Sequence, residues 1–109
     1  MGLVLEQYEM VIVNLDPTIG SEIKKTRPCV ILSPNEMNEY LKTIVIAPLT
    51  SKSKDYPTRV KIEVNGKESW IAVDQIRTID RRRIYKKINR LTDETITAVK
   101  KVIKEMLVD

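Results

Sequence analysis

Hydrophobic positions along this chain recur mostly with period two and switch to a helical period only at the end. From Tyr8 to Leu15, Val11, Val13 and Leu15 point one way while Met10 and Ile12 point the other, which predicts a central strand apolar on both faces. A polar loop, Asp16 to Pro28, separates it from a short apolar strand, Cys29 to Leu32, closed by Ser33-Pro34-Asn35. Residues 35–41 are expected to be a polar connection, and the β-branched run Thr43 to Leu49 predicts a third strand. A second polar loop, Thr50 to Pro57, precedes Arg59 to Val64, where Val60, Ile62 and Val64 alternate with Arg59, Lys61 and Glu63.

Asn65-Gly66 supports the positive φ angles of a type I′ turn, so a hairpin is expected with a returning strand at Ser69 to Val73. Gln75 to Ile79 extends that strand or bends away from it. After Thr92, a good N-cap followed by Asp93 and Glu94, the residues Ile96, Val99, Val102, Ile103, Met106 and Leu107 share one helical face. The pattern is a small, mostly antiparallel β-barrel or curled sheet with a C-terminal helix, a β-rich α+β class. The 109 residues, without repeat or linker, fit a single domain over 1–109. A domain this short gains stability by association, so a homodimer is expected.

Composition narrows the chemistry. A net charge of +4 and a pI near 9.2 suit a polyanionic partner and equally suit ordinary solubility. There is no histidine and one cysteine, so a zinc site lacks ligands, no metal or cofactor is expected, and no intrachain disulfide can form. This cysteine usage fits a reducing cytoplasm. Cys29 lies in an apolar run, which favours a buried thiol over a nucleophile. The opening Met-Gly-Leu-Val-Leu-Glu lacks the regions of a signal peptide, and no apolar run is long enough to span a membrane.

Cations gather at Lys24, Lys25 and Arg27, at Lys52 and Lys54, and across Arg81 to Arg90. The first two groups lie in loops that can meet at one rim of a barrel. The third reads as a solvated edge or as part of a polyanion surface. If the polyanion is RNA, cleavage needs neither a metal nor an enzyme nucleophile, because the ribose 2′-hydroxyl can attack the adjacent phosphorus. The protein must then accept a proton, stabilise phosphoryl charge and help the 5′-oxygen leave. Without histidine, Glu22 is the candidate base, Arg27 the bidentate phosphoryl ligand and Thr50 a hydroxyl donor. The same residues also fit a loop ion pair and a strand end.

The run Asn14-Leu15-Asp16-Pro17-Thr18-Ile19-Gly20-Ser21-Glu22, then Arg27-Pro28-Cys29-Val30-Ile31-Leu32-Ser33, resembles the opening signature of the MazF/PemK toxins. Val45 to Pro57 is similar to that family's second active-site segment, and Ala72-Val73-Asp74-Gln75-Ile76-Arg77-Thr78-Ile79-Asp80 to its third. The resemblance implies an SH3-like, CcdB/PemK-type barrel and a homodimer. It also implies metal-independent, sequence-specific cleavage of single-stranded RNA to 2′,3′-cyclic phosphate and 5′-hydroxyl ends. Arg27, Thr50 and Glu22 take the positions of the family's catalytic arginine, threonine and loop glutamate. By position and charge, Lys24, Lys25, Ser51, Lys52 and Gln75 are the expected substrate contacts. A cognate antitoxin with a flexible acidic tail is the implied protein partner. The stretch Ile23-Lys24-Lys25-Thr26 departs from the smaller residues often found there and makes this loop stiffer and more basic. Two other functions remain open on such a barrel: a non-catalytic, CcdB-like gyrase poison, and a nucleic-acid-binding module. With only four Tyr and one Trp, a broad stacking platform is disfavoured.

Overall fold

β1 (Glu9–Asn14), β2 (Thr26–Ile31), β3 (Thr43–Thr50), β4 (Arg59–Val64), β5 (Lys67–Ala72), β6 (Arg77–Asp80) and β7 (Ile84–Arg90) form one antiparallel sheet. It carries α1 (Asn35–Tyr40) in one connection and ends in α2 (Asp93–Leu107). These coordinates come from a computed structural model that describes residues 4–15 and 26–108. The strand order is β4-β5-β3-β2-β1-β7, with β6 also paired to β3. β3 is the hub: β2 runs along one edge, while β6 and β5 lie along the other, at Thr43 to Ile46 and at Leu49 to Thr50. The change of partner falls at Ala47-Pro48, where the proline brings no N–H to a ladder.

Alternation buries both faces of the sheet. Met10, Val30, Leu32, Ala47, Leu49 and Ile71 pack under Ile96, Val99 and Val102 of α2. Val11, Val13, Cys29, Ile31, Ile44 and Ile46 form a second core on the opposite face with Ile79 and Ile84. Neighbouring residues such as Cys29 and Val30 thus serve different cores, as the period-two pattern expects. Asn65 and Gly66 have φ of 53° and 78°, the turn that pairs Val64 with Lys67. Thr92 accepts a hydrogen bond from the Thr95 amide and caps α2. Among the described residues, no helix is long and apolar enough to cross a membrane.

Three expectations need correction. Residues 35–41 are not an irregular connection, because Asn35–Tyr40 are helical. The Asn38 side chain is buried, its amide donates to Ser33 O at 2.9 Å, and Ser33 donates back to it. This local polar lock outweighs the low apolar content of the segment. The loop expected to reach Pro28 stops by Thr26, since Arg27 pairs with Val13 and Pro28 with Ile12. Of the two courses open to Gln75 to Ile79, the bend is the one taken: Val73–Gln75 make one 3-10 turn that leads from β5 into β6. Leu107 lies in the last turn of α2, beyond the sheet, and is exposed.

Candidate active site

The second core runs out toward one end of the central strands, and polar side chains take its place. β2 and β3 pair Ile31 with Ile46, Val30 with Ala47 and Cys29 with Pro48. Two residues further along the same register, Arg27 falls opposite Thr50. Both line a cleft of about 390 Å3 with Thr26, Pro28, Leu49, Ser51, Lys52 and Ser69. Arg27 is exposed, and no described side chain pairs with its guanidinium. Its field, with that of Arg77, opposes the burial that pushes the Cys29 thiol up to about 12. The thiol therefore stays protonated and inert, as a buried structural cysteine should. Arg77 pairs with Ile46 and so shares the Cys29 face of the sheet.

The Thr50 hydroxyl closes its own turn. It accepts from the Lys52 amide at 3.3 Å and donates to Lys52 O at 3.2 Å. The rest of that loop is tied down from behind. Arg59 makes a bidentate pair with Asp74, at 2.7 Å from Nε to Oδ1 and 3.1 Å from Nη2 to Oδ2. Its Nη1 donates to Ser53 Oγ at 3.0 Å, and the guanidinium lies over the Tyr56 ring at 5.6 Å. Thr58 also donates to Asp74. The hydrogen bond from Arg59, more than any other contact, holds the Asp74 carboxyl below its ordinary value. The Trp70 indole N–H donates to Asp55 Oδ1 at 3.3 Å. Asp74 thereby braces the Thr58–Arg59 end of the loop that presents Thr50, Ser51 and Lys52, and Trp70 holds its middle at Asp55.

Of the eight residues expected at the site, Arg27, Thr50, Ser51 and Lys52 meet in this cleft. Gln75 is exposed on the 3-10 turn and does not line it. Glu22, Lys24 and Lys25 lie outside the described residues. Sequence reasoning missed Ser69, which lines the cleft, and Trp70, which pairs with Thr50 across β5 and β3. The Asn65-Gly66 turn does set the β4–β5 register, but the β5–β3 contact joins segments that no local signal connects.

The curled sheet backed by one helix is the fold of MazF crystal structures. Deinococcus radiodurans MazF superposes with a TM-score of 0.79 at 25% identity, covering 97% of this chain and 98% of that one. A MazE–MazF structure from the same organism gives 0.80 at 25% identity, covering 97% of each chain. Residues 6–107 match the family described as PemK-like, MazF-like toxin of type II toxin–antitoxin system, and the chain belongs to that family. A relative from Staphylococcus saprophyticus, named Endoribonuclease MazF, is 31% identical over 105 residues, covering 91% of this chain and 88% of the relative.

Proposed function

We propose that this toxin is a metal-independent endoribonuclease that cuts single-stranded RNA at a specific sequence, using the ribose 2′-hydroxyl as nucleophile. The observation that carries this is the shared cleft of Arg27 and Thr50. The 31% identical relative named an endoribonuclease supports the reaction class. As the 2′-oxygen bonds to phosphorus, its proton passes to a base, for which Glu22 is the candidate. Negative charge grows on the phosphoryl oxygens, and Arg27 can bind two of them through parallel N–H groups. The bond to the 5′-oxygen breaks, that oxygen takes a proton from the protonated base or from water, and a 2′,3′-cyclic phosphate remains.

Thr50 is built for a small rearrangement in this sequence of events. The Lys52 amide keeps Oγ1 in place while the hydroxyl proton turns from Lys52 O to a phosphoryl oxygen. One weak internal bond is exchanged for one to a charged acceptor. Ser51 and Lys52 lie beside it to hold the adjoining backbone, with Lys24 and Lys25 as further candidates on the preceding loop. Gln75 can reach RNA only outside the cleft.

The protein acts as a cytoplasmic homodimer and is neutralised by an antitoxin whose flexible acidic tail occupies the basic groove. A solved MazE–MazF complex of a relative supports that pairing. A gyrase poison has no use for the arginine–threonine pair, so the cleft favours the nuclease.

The test is incubation with a long single-stranded RNA in EDTA, followed by sequencing of the fragments. Cuts at one short word with cyclic-phosphate ends are expected. Cleavage that appears only with added magnesium contradicts the proposal.

A further inference from the structure

We infer that Trp70 is a stacking platform for the base of a nucleotide next to the scissile phosphate. This rests on the nuclease function proposed above and assigns a substrate contact to that same site.

The placement follows from register. Thr50 pairs with Trp70, and Trp70 pairs with Lys61. Directly opposed residues of antiparallel strands project to the same face, with neighbouring strands about 4.8 Å apart. With Arg27 opposite Thr50, four adjacent strands present the row Arg27, Thr50, Trp70, Lys61 on one face. Trp70 lies beside the cleft rather than in its lining; its neighbour Ser69, which alternates to the other face of β5, lines it. A strand of RNA whose phosphate sits at Arg27 and Thr50 therefore has an indole one step to the side and an ammonium one step beyond.

The indole is oriented for this use. It is only partly buried, and its N–H is held by Asp55. Lys61 Nζ lies 5.8 Å from the ring centroid, so a cation faces the ring. That lysine is tethered by an exposed pair with Glu68 at 3.3 Å, a contact that costs little to break. A base can displace the ammonium from the ring, and the ammonium can then meet the phosphate of that nucleotide. Of the other aromatics, Tyr8 is buried in the opposite core, Tyr56 lies under Arg59, and the exposed Tyr40 and Tyr85 sit on α1 and β7, outside this row.

Trp70 is the only tryptophan in the chain, so intrinsic fluorescence reports on this ring alone. The probe is a 2′-O-methyl oligonucleotide spanning the mapped cut, which binds without being cleaved. Its binding is followed by the anisotropy of an end label and by tryptophan emission. Saturation is expected to quench the emission clearly, and Trp70→Leu is expected to weaken binding about 5- to 100-fold, the scale of one base–aromatic stack. Trp70→Phe should recover most of that loss, and melting curves check that both variants fold. Removing one base beside the cut should weaken binding to the wild type and have little further effect on Trp70→Leu.

Full anisotropy change with unaltered emission overturns the assignment, as does a base-removal penalty that is the same in both proteins. Either result leaves cleavage in EDTA, and hence the nuclease proposal, standing. Quenching by an acidic peptide but not by the oligonucleotide also overturns it and gives the row to the antitoxin. If the oligonucleotide does not bind at all, the platform falls, while the nuclease proposal still stands on the cut mapped in EDTA.

Discussion

Two cation-rich regions of this molecule look alike in sequence and differ in how their charges are used. Along residues 81–90, every cation except the exposed Lys86 is held by the protein itself. Arg81 donates to Asn38 O and Leu41 O at the end of α1. Arg82 pairs with Asp80, whose carboxyl is lowered to about 2 chiefly by that hydrogen bond. Arg83 donates to Asn14 O, Lys87 pairs with Glu9 at 3.0 Å, and Arg90 pairs with Asp93. β7 is an edge strand, so this charge also guards it against pairing with another sheet. At the cleft, by contrast, no described acid answers Arg27, and the guanidinium stands beside a hydroxyl. Density of positive charge therefore does not mark the site. The site lies where a cation is left over and a donor of a different kind faces it.

That contrast can be broken by substitution, starting at the cleft. Arg27→Ala should cut the cleavage rate by about 100- to 1,000-fold, the usual cost of losing one charge-stabilising donor. Its melting temperature should stay close to that of the wild type, and equal turnover would remove Arg27 from the chemistry. Thr50→Val should lower the rate by about 10- to 100-fold, since one neutral donor is lost while Arg27 remains. Thr50→Ser should keep most activity, and a serine variant as slow as the valine would mean that the hydroxyl is not the working group.

On the β7 side the expected loss is in stability. Glu9 is buried and also accepts from the Glu6 amide, so Lys87→Met leaves a carboxylate short of one partner. Unfolding by denaturant should show a loss of about 1–3 kcal/mol, with cleavage per folded molecule unchanged. A matching drop in cleavage would mean that this edge also serves RNA.

The smallest effect concerns the brace behind the second loop. Asp74 has a native pKa below its unfolded value, so its pairing with Arg59 contributes fully above the ordinary carboxylate pKa, about 3.9. The contribution fades as pH falls through the depressed native value. The melting-temperature gap between wild type and Asp74→Asn should therefore be constant from neutrality down to about pH 4 and close below it. A gap that does not change with pH would show that the brace does not depend on the charged carboxylate.

How much of this was legible in the sequence depends on the range of each interaction. The Asn65-Gly66 hairpin, the Thr92 cap and the two-sided burial of β1 follow from short-range patterns, and the structure has them. α1 was missed because its anchor is a single buried amide, Asn38, which looks like any loop asparagine until Ser33 is seen beside it. The start of β2 was misplaced because Pro28 suggested a loop, whereas Pro28 continues the pairing with β1. Resemblance to a known family supplied Arg27 and Thr50, and only the fold brings them into one cleft. The partners of Arg81, Arg83 and Lys87 and the place of Trp70 required the non-local strand order, which local residue patterns do not encode.

The central claim is that RNA supplies its own nucleophile while Arg27 and Thr50 stabilise the phosphoryl group. It is tested most directly by replacing one ribose, the one whose 3′-phosphate is cut, with 2′-deoxyribose in an otherwise native RNA, and assaying it in EDTA. The account predicts that this RNA still binds but is not cut at that phosphate, while the all-ribose strand yields cyclic-phosphate and 5′-hydroxyl ends. Cleavage of the single-deoxy strand at that position, at a comparable rate, would contradict it.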